Sequence, residues 1–476
     1  MDHDDHHESD HELPSGALST RREFLRTTLL GAAAAWTLPA FLDKTFFALG
    51  AQAAENSATQ TITGKDAPIL VVLQQAGGND GLNTLVPFAD DAYHRVRPAI
   101  GFAADKVLKL NDYCGLNPQL TALRGLYDEG HLAVVQGVGY PNPNRSHFRS
   151  TEIWQTASDS NRFASHGWLG NYFDSCCQGA DPTVGVAIGG QMPQAFTAST
   201  PVGVSFANPE QYRWIDREKP RGSMSAAEFY YRMLNQPEED SGAMTSPGSG
   251  TTSTRHGANP VNPDFTGGSI ASISGPANGA GGNMSSVDFL ERTALDAQLS
   301  SDRVLQIART TRPLVPYPPG RLSDSLSLVG RMIAGGLPTR VFYVSHGGYD
   351  THQGQQGTHQ RLMTEFNGAL GAFCADLKAQ GNFNRVIIMT FSEFGRRVAQ
   401  NASGGTDHGA AAPMFLLGGG LKGGFYGNYP SLTQLFQGDL MHNVDFRSVY
   451  ATLLERWLRV PSEKVLGRKF STLPLV

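Results

Sequence analysis

The residues best suited to chemistry in this chain are short pairings of carboxylates and imidazoles. Asp350 and His352 stand in Ser-His-Gly-Gly-Tyr-Asp-Thr-His, and Asp407 and His408 in Gly-Gly-Thr-Asp-His-Gly. Asp80 closes the run Gly-Gly-Asn-Asp, and Glu393 lies in Thr-Phe-Ser-Glu-Phe-Gly-Arg. Carboxylate oxygens and imidazole nitrogens are ligands for zinc, manganese or a similar divalent ion. The flanking glycines let backbone come close to an ion or a phosphate. A candidate nucleophile stands apart from these, Ser146 in Pro-Asn-Arg-Ser-His-Phe, with Arg145 beside it. A serine hydroxyl near a metal ion can be deprotonated and attack phosphorus or sulfur, and Arg145 offers paired donors for an oxyanion. Each residue also has a plainer reading. Asp80 suits an Asx-turn, Asp350-x-His352 a loop or cap, Glu393 an ion pair with Arg396 or Arg397, and Ser146 the N-cap of a following helix.

What unites these residues is where the elements put them. Pro68–Leu73, Leu132–Gln136, Val184–Ile188, Val202–Phe206, Arg340–Ser345, Arg385–Thr390 and Met414–Leu417 are short apolar runs, as expected of strands buried on both faces. Between them run helical patterns. One lies near Leu120–Tyr127. Another carries Leu362, Phe366, Leu370, Phe373 and Leu377 on one face and is stopped by Gly381. A last helix starts after Asp445 and turns Val449, Leu453, Leu454 and Trp457 inward. Strands alternating with helices predict a three-layer α/β/α sandwich with a mainly parallel sheet. Ligands of such sheets bind beyond the C-terminal strand ends. Asp80, Asp350 with His352, and Glu393 each follow a strand, whereas Asp407 and His408 come just before one.

Composition narrows the function further. The 476 residues carry a net charge of −5, which gives no basic excess for nucleic acid. Hydrophobic residues make up 40%, enough for a sizeable core, and 54 glycines predict many tight loops. The four cysteines, Cys114, Cys176, Cys177 and Cys374, form no C-x-x-C pair, so a structural zinc site is disfavoured. Residues from about 236 to 285 are rich in Gly, Ser, Thr, Asn and Pro and read as a flexible insertion.

The N-terminus has the plan of an export signal. Ser19-Thr-Arg-Arg-Glu-Phe-Leu25 matches the twin-arginine pattern, Leu29–Leu42 is mostly apolar, and Ala51-Gln-Ala53 offers a cleavage site. The apolar stretch is shorter than the roughly 20 residues a spanning helix needs. The expectation is a twin-arginine signal over 1–53, a single domain over 54–476, passage through the twin-arginine translocase, a periplasmic or extracellular destination, and no stable membrane span after cleavage.

With these motifs together, the chain resembles the bacterial DUF1501 family. The carriers are Gly77–Thr84, Asn144–Phe148, Gly348–His352, Thr390–Arg396, Gly405–Gly409 and Asp445–Tyr450. The family is grouped with the alkaline phosphatase and sulfatase superfamily. The resemblance implies an alkaline-phosphatase-like fold and one or two divalent metal ions, zinc or manganese. It implies Asp80, Asp350, His352, Glu393, Asp407 and His408 as metal-site residues and Ser146 as nucleophile. The expected activity is hydrolysis of a small-molecule or polymer phosphate or sulfate ester. One departure stands out: where the superfamily places an Asp-His pair, this chain has Glu393 followed by Phe394. The Cys/Ser-x-Pro-x-Arg motif of formylglycine sulfatases is absent. The alternative is an exported protein that keeps the fold for binding without catalysis.

Overall fold

A computed structural model describes residues 67–177, 180–199, 203–211 and 300–476. The expected export signal at 1–53 and the insertion at about 236–285 lie outside the described residues.

The seven apolar runs become seven of the nine strands that form one sheet among the described residues. The nine are β1 (Ile69–Ala76), β2 (Leu132–Gly139), β3 (Gly185–Ile188), β4 (Val204–Phe206), β5 (Val341–Gly347), β6 (Val386–Phe391), β7 (Ala412–Leu417), β8 (Gly424–Tyr426) and β9 (Val444–Asp445), of which β8 and β9 are additional to the runs. Their order across the sheet is β8-β2-β7-β6-β1-β5-β3-β4, with β9 also pairing with β2. β1 lies at the centre and pairs in parallel with β5 (Leu70 opposite Val341) and with β6 (Ile69 opposite Val386). β7 alone runs antiparallel to its neighbours β2 and β6.

Alternation along β1 explains the layers. Ile69, Val71 and Leu73 face one core, and Leu70 and Val72 the other. On the first face pack α3 (Thr121–Asp128), α6 (Arg321–Ala334) and α7 (Gln355–Ala379) through Leu123, Leu326, Phe366 and Phe373. On the second pack α4 (His147–Thr156), α5 (Trp168–Cys176) and α8 (Phe446–Thr452) through Trp154, Trp168 and Tyr450. The sheet is thus covered on both sides, as the sequence pattern predicts. Burying each Val, Leu or Phe stabilises the fold by roughly 1.5–3 kcal/mol, so the β1 centre is a main anchor. Cys374 lies buried in the first core, and Asp445 caps α8 by accepting from the Arg447 N–H. Two short helices, α1 (Gly81–Thr84) and α2 (Asp91–Val96), complete the chain just after β1. No helix among the described residues is long and apolar enough to cross a membrane.

Because β7 runs backwards, its start lies at the same sheet edge as the ends of β1, β5 and β6. This resolves the placement of Asp407 and His408: residues before an antiparallel strand share an edge with residues after parallel ones.

Candidate metal centre

The first site segment follows β1. Gly77 has φ 121°, and a Cβ there would meet the Asp350 backbone nitrogen at 2.5 Å. Only glycine lets the loop after β5 settle against the end of β1. Asp80 comes next, and it turns inward. Its Oδ1 accepts from the backbone N–H groups of Leu82 (3.1 Å) and Asn83 (3.2 Å), capping α1. Its Oδ2 meets Arg97 Nη1 at 2.7 Å, with both side chains fully buried, and also accepts from Gln355. Burial works to raise the Asp80 carboxyl, but the charges of Arg97 and His359 and hydrogen bonds from Arg97 and Gln355 hold it below the ordinary range. Asp80 is therefore a structural ion pair and cap, a correction to its expected role as ligand.

Asp350, after β5, is the opposite case. Its side chain is 46% exposed, and three imidazoles face it. His408 Nε2 lies 3.1 Å from Oδ1, His352 Nε2 also 3.1 Å from Oδ1, and His147 Nε2 3.5 Å from Oδ2. Arg396 Nη2 donates to Oδ1 at 2.7 Å. Partial burial pushes the Asp350 carboxyl up, but hydrogen bonds from Arg396 and His408 and the charges of Arg396 and His352 bring it down to about 2. The ligand atoms of His147, Asp350 and His408 all lie within 4.8 Å of one another.

The imidazoles share a design. Behind His147, Nδ1 meets Glu393 Oε1 at 2.9 Å. Behind His408, Nδ1 meets the Arg145 carbonyl oxygen at 2.8 Å. Behind His352, Nδ1 meets Asp407 Oδ1 at 3.2 Å. Carbonyl and carboxylate oxygens only accept, so these contacts assign the proton to Nδ1 in each ring. Each Nε2 then faces Asp350 or its neighbouring ring, and the 2.9 Å between His352 Nε2 and His408 Nε2 is a distance that a shared proton or a cation can satisfy. Nitrogen-rich, carboxylate-completed sets of this kind suit zinc. The set His147, Asp350 and His408 therefore fits a divalent ion as the residues that would hold it, with His352 beside it.

The structure places the other predicted residues around this group. Glu393 and Asp407, expected as ligands, lie behind imidazoles and outside the converging set of His147, Asp350 and His408. Glu393 pairs with neither Arg396 nor Arg397. Arg145 presents its guanidinium to the buried Asp439, through Nε at 2.8 Å and through Nη2. It contributes only its carbonyl to the centre. Arg396 is fully buried and spends its donors on the carbonyl oxygens of Gly78 (2.6 Å), Thr406 (2.8 Å) and Tyr349 (3.0 Å) besides Asp350. Ser146 occupies the N-cap position of α4, exposed, and its side chain makes no capping bond. Phe394 follows Glu393 beside the cluster. Its ring packs against His147 (centroids 4.9 Å) and His408 (4.4 Å).

The sequence pattern alone does not bring His147 into the cluster, although it follows β2 much as Asp350 follows β5.

The chain belongs to the family described as "Protein of unknown function (DUF1501)", whose model matches residues 67–466. No curated protein matches the sequence. Three solved structures follow a similar chain course. The lipoteichoic acid synthase LtaP from Listeria monocytogenes is 7% identical, with 89% of this chain and 81% of that chain covered and a TM-score of 0.32. A sulfatase from Pseudoalteromonas sp. is 11% identical, with 86% and 70% covered and a TM-score of 0.34. A phosphonate monoester hydrolase from Silicibacter pomeroyi is 11% identical, with 86% and 78% covered and a TM-score of 0.29. At these identities the likeness is one of fold, and the chemistry of this site rests on its own residues.

Proposed function

We propose that this protein is a metal-dependent hydrolase of phosphate or sulfate esters, with one divalent ion per chain. The observation that carries the reading is the convergence of three imidazole Nε2 atoms on Asp350 at one edge of the sheet. A divalent ion held there would polarise the ester and lower the barrier to attack. Ser146 would supply the nucleophile. Its oxygen bonds to phosphorus or sulfur as the ester oxygen leaves carrying the hydroxyl proton, and water then hydrolyses the seryl ester to free phosphate or sulfate and restores Ser146. Where a water attacks in its place, the water's proton passes to the leaving oxygen. Arg396 sits beside Asp350 as a fixed positive charge that needs no ion. The single ion follows from geometry: among the described residues one group, His147, Asp350 and His408, brings its ligand atoms together, and Asp80 lies outside it.

Metal analysis of the purified mature chain tests this, followed by hydrolysis of aryl phosphate and sulfate esters with and without chelator. Near-stoichiometric zinc or manganese and chelator-sensitive turnover are expected. Metal-free protein with no turnover on any aryl ester sinks the reading. Phe394, wedged between two of the imidazoles, favours a second reading, a binding protein that keeps the centre without catalysis. Retained metal with no turnover would support it. The Arg21-Arg22 pair makes export the setting for either reading. Replacing both with lysine should hold the protein in the cytoplasm, and normal export of that variant would count against the twin-arginine route.

A further inference from the structure

We infer that Glu393 is a positioning residue, acting through His147 to fix the ring tautomer that turns Nε2 toward the metal. The inference rests on the metal-centre reading for its purpose but on separate atoms for its test.

Glu393 is built to hold something still. It is 2% exposed. Its Oε1 accepts twice, from the Gly77 backbone N–H at 2.8 Å and from His147 Nδ1 at 2.9 Å. The Gly77 bond locks the carboxylate against the end of β1, so the oxygen offered to His147 cannot swing away. The Glu393 main chain is tied to the same helix, since its carbonyl accepts from the Ser150 hydroxyl on α4. One residue at the end of β6 therefore grips α4 at two points, one of them the imidazole itself. A carboxylate behind a ligating histidine sets its tautomer and strengthens it as a donor.

The competing role is direct ligation, and it has one available atom. Glu393 Oε2 is buried with no hydrogen-bond partner. Were it a ligand, an amide nitrogen in its place would abolish that bond. A pure positioning role needs only the accepting oxygen, which glutamine retains. The pair Glu393→Gln and Glu393→Ala therefore separates the two.

The experiment uses the full mature chain in three forms, with circular dichroism confirming the fold. Zinc affinity is measured by competition with a chromophoric chelator. Side-chain nitrogen spectra of metal-free, [15N]histidine-labelled protein report the His147 tautomer. Expected is a loss of zinc affinity of about 10- to 100-fold in Glu393→Ala, near-parental affinity in Glu393→Gln, and Nδ1–H at His147 in all but the alanine variant. Equal losses in both variants would make Glu393 a ligand and overturn the inference. So would an alanine variant with unchanged affinity and an unchanged tautomer. If the parent binds no zinc, the metal-centre reading fails, yet the tautomer still decides whether Glu393 orients His147.

Discussion

Asp80 and Asp350 stand after neighbouring parallel strands, β1 and β5, and follow similar glycine-rich approaches. Their surroundings divide them. Asp80 is fully buried, its charge met by Arg97 and its oxygens occupied by the first turn of α1. Asp350 is nearly half exposed and meets three ring nitrogens whose far sides are already bonded. Both carboxylates have a guanidinium partner, Arg97 for Asp80 and Arg396 for Asp350. What separates them is that Asp350 is also half exposed and faces three imidazoles, the arrangement the proposed ion would use. Position at a strand end is thus necessary for a ligand here but does not make one.

The largest test of this contrast is Asp80→Ala. Removing one member of a fully buried ion pair leaves Arg97 uncompensated and should cost about 3–5 kcal/mol of folding stability, read by urea unfolding. Metal content per folded molecule should stay that of the parent. A stable but metal-free Asp80→Ala protein would return Asp80 to the ligand set.

His359 probes the same buried side by pH. It is buried on α7, its Nε2 3.2 Å from Asn79 Oδ1. Burial pushes its imidazole down from 6.5 to about 4, against the pull of Asp80. The folded ring resists protonation while the unfolded ring takes a proton below 6.5. Stability is therefore full above pH 6.5 and falls as pH drops toward 4, by about 3 kcal/mol at 1.36 kcal/mol per unit. His359→Gln should flatten that stretch of the pH–stability curve, and an unchanged slope would reassign it to other groups.

On the exposed side, Asp350→Ala should cut zinc affinity on the order of 100-fold, about 2.7 kcal/mol. Because the change also takes the carboxylate from buried Arg396, resistance of the metal-free protein to urea unfolding should weaken, but by less than in Asp80→Ala since Asp350 is half exposed. Loss of fold there would erase the distinction between the two aspartates. The smallest effect belongs to Asp407→Ala. It removes the acceptor behind His352, and a roughly 10-fold loss of zinc affinity is expected. An unaltered affinity would take His352 out of the centre.

Most of the fold was legible because the strands are covered on both faces, so each appears as an unbroken apolar run such as Val386–Phe391. The direction of β7 was not legible, since antiparallel pairing leaves no mark on a run buried from both sides. The sheet edge holding the site was readable from polar residues at strand ends. Their division of labour was not. Arg97 lies 17 residues beyond Asp80, and nothing in its local pattern says that its guanidinium returns to that carboxylate. Glu393 and Asp407 carry ligand chemistry, and only the rings in front of them show that they serve from behind. Asp80 had its structural reading in plain view, as a side chain closing on its own following turn.

The reversed strand has a consequence for how the molecule is made. β7 lies between β2 and β6 and is the only strand pairing with both. Yet it is synthesised after either. Until residue 417 has emerged from the ribosome, β2 has no strand joining it to β6. His408 arrives on the approach to that same strand. The seam of the sheet and one imidazole of the candidate centre are therefore delivered in one stretch of translation, so a product truncated before His408 lacks both.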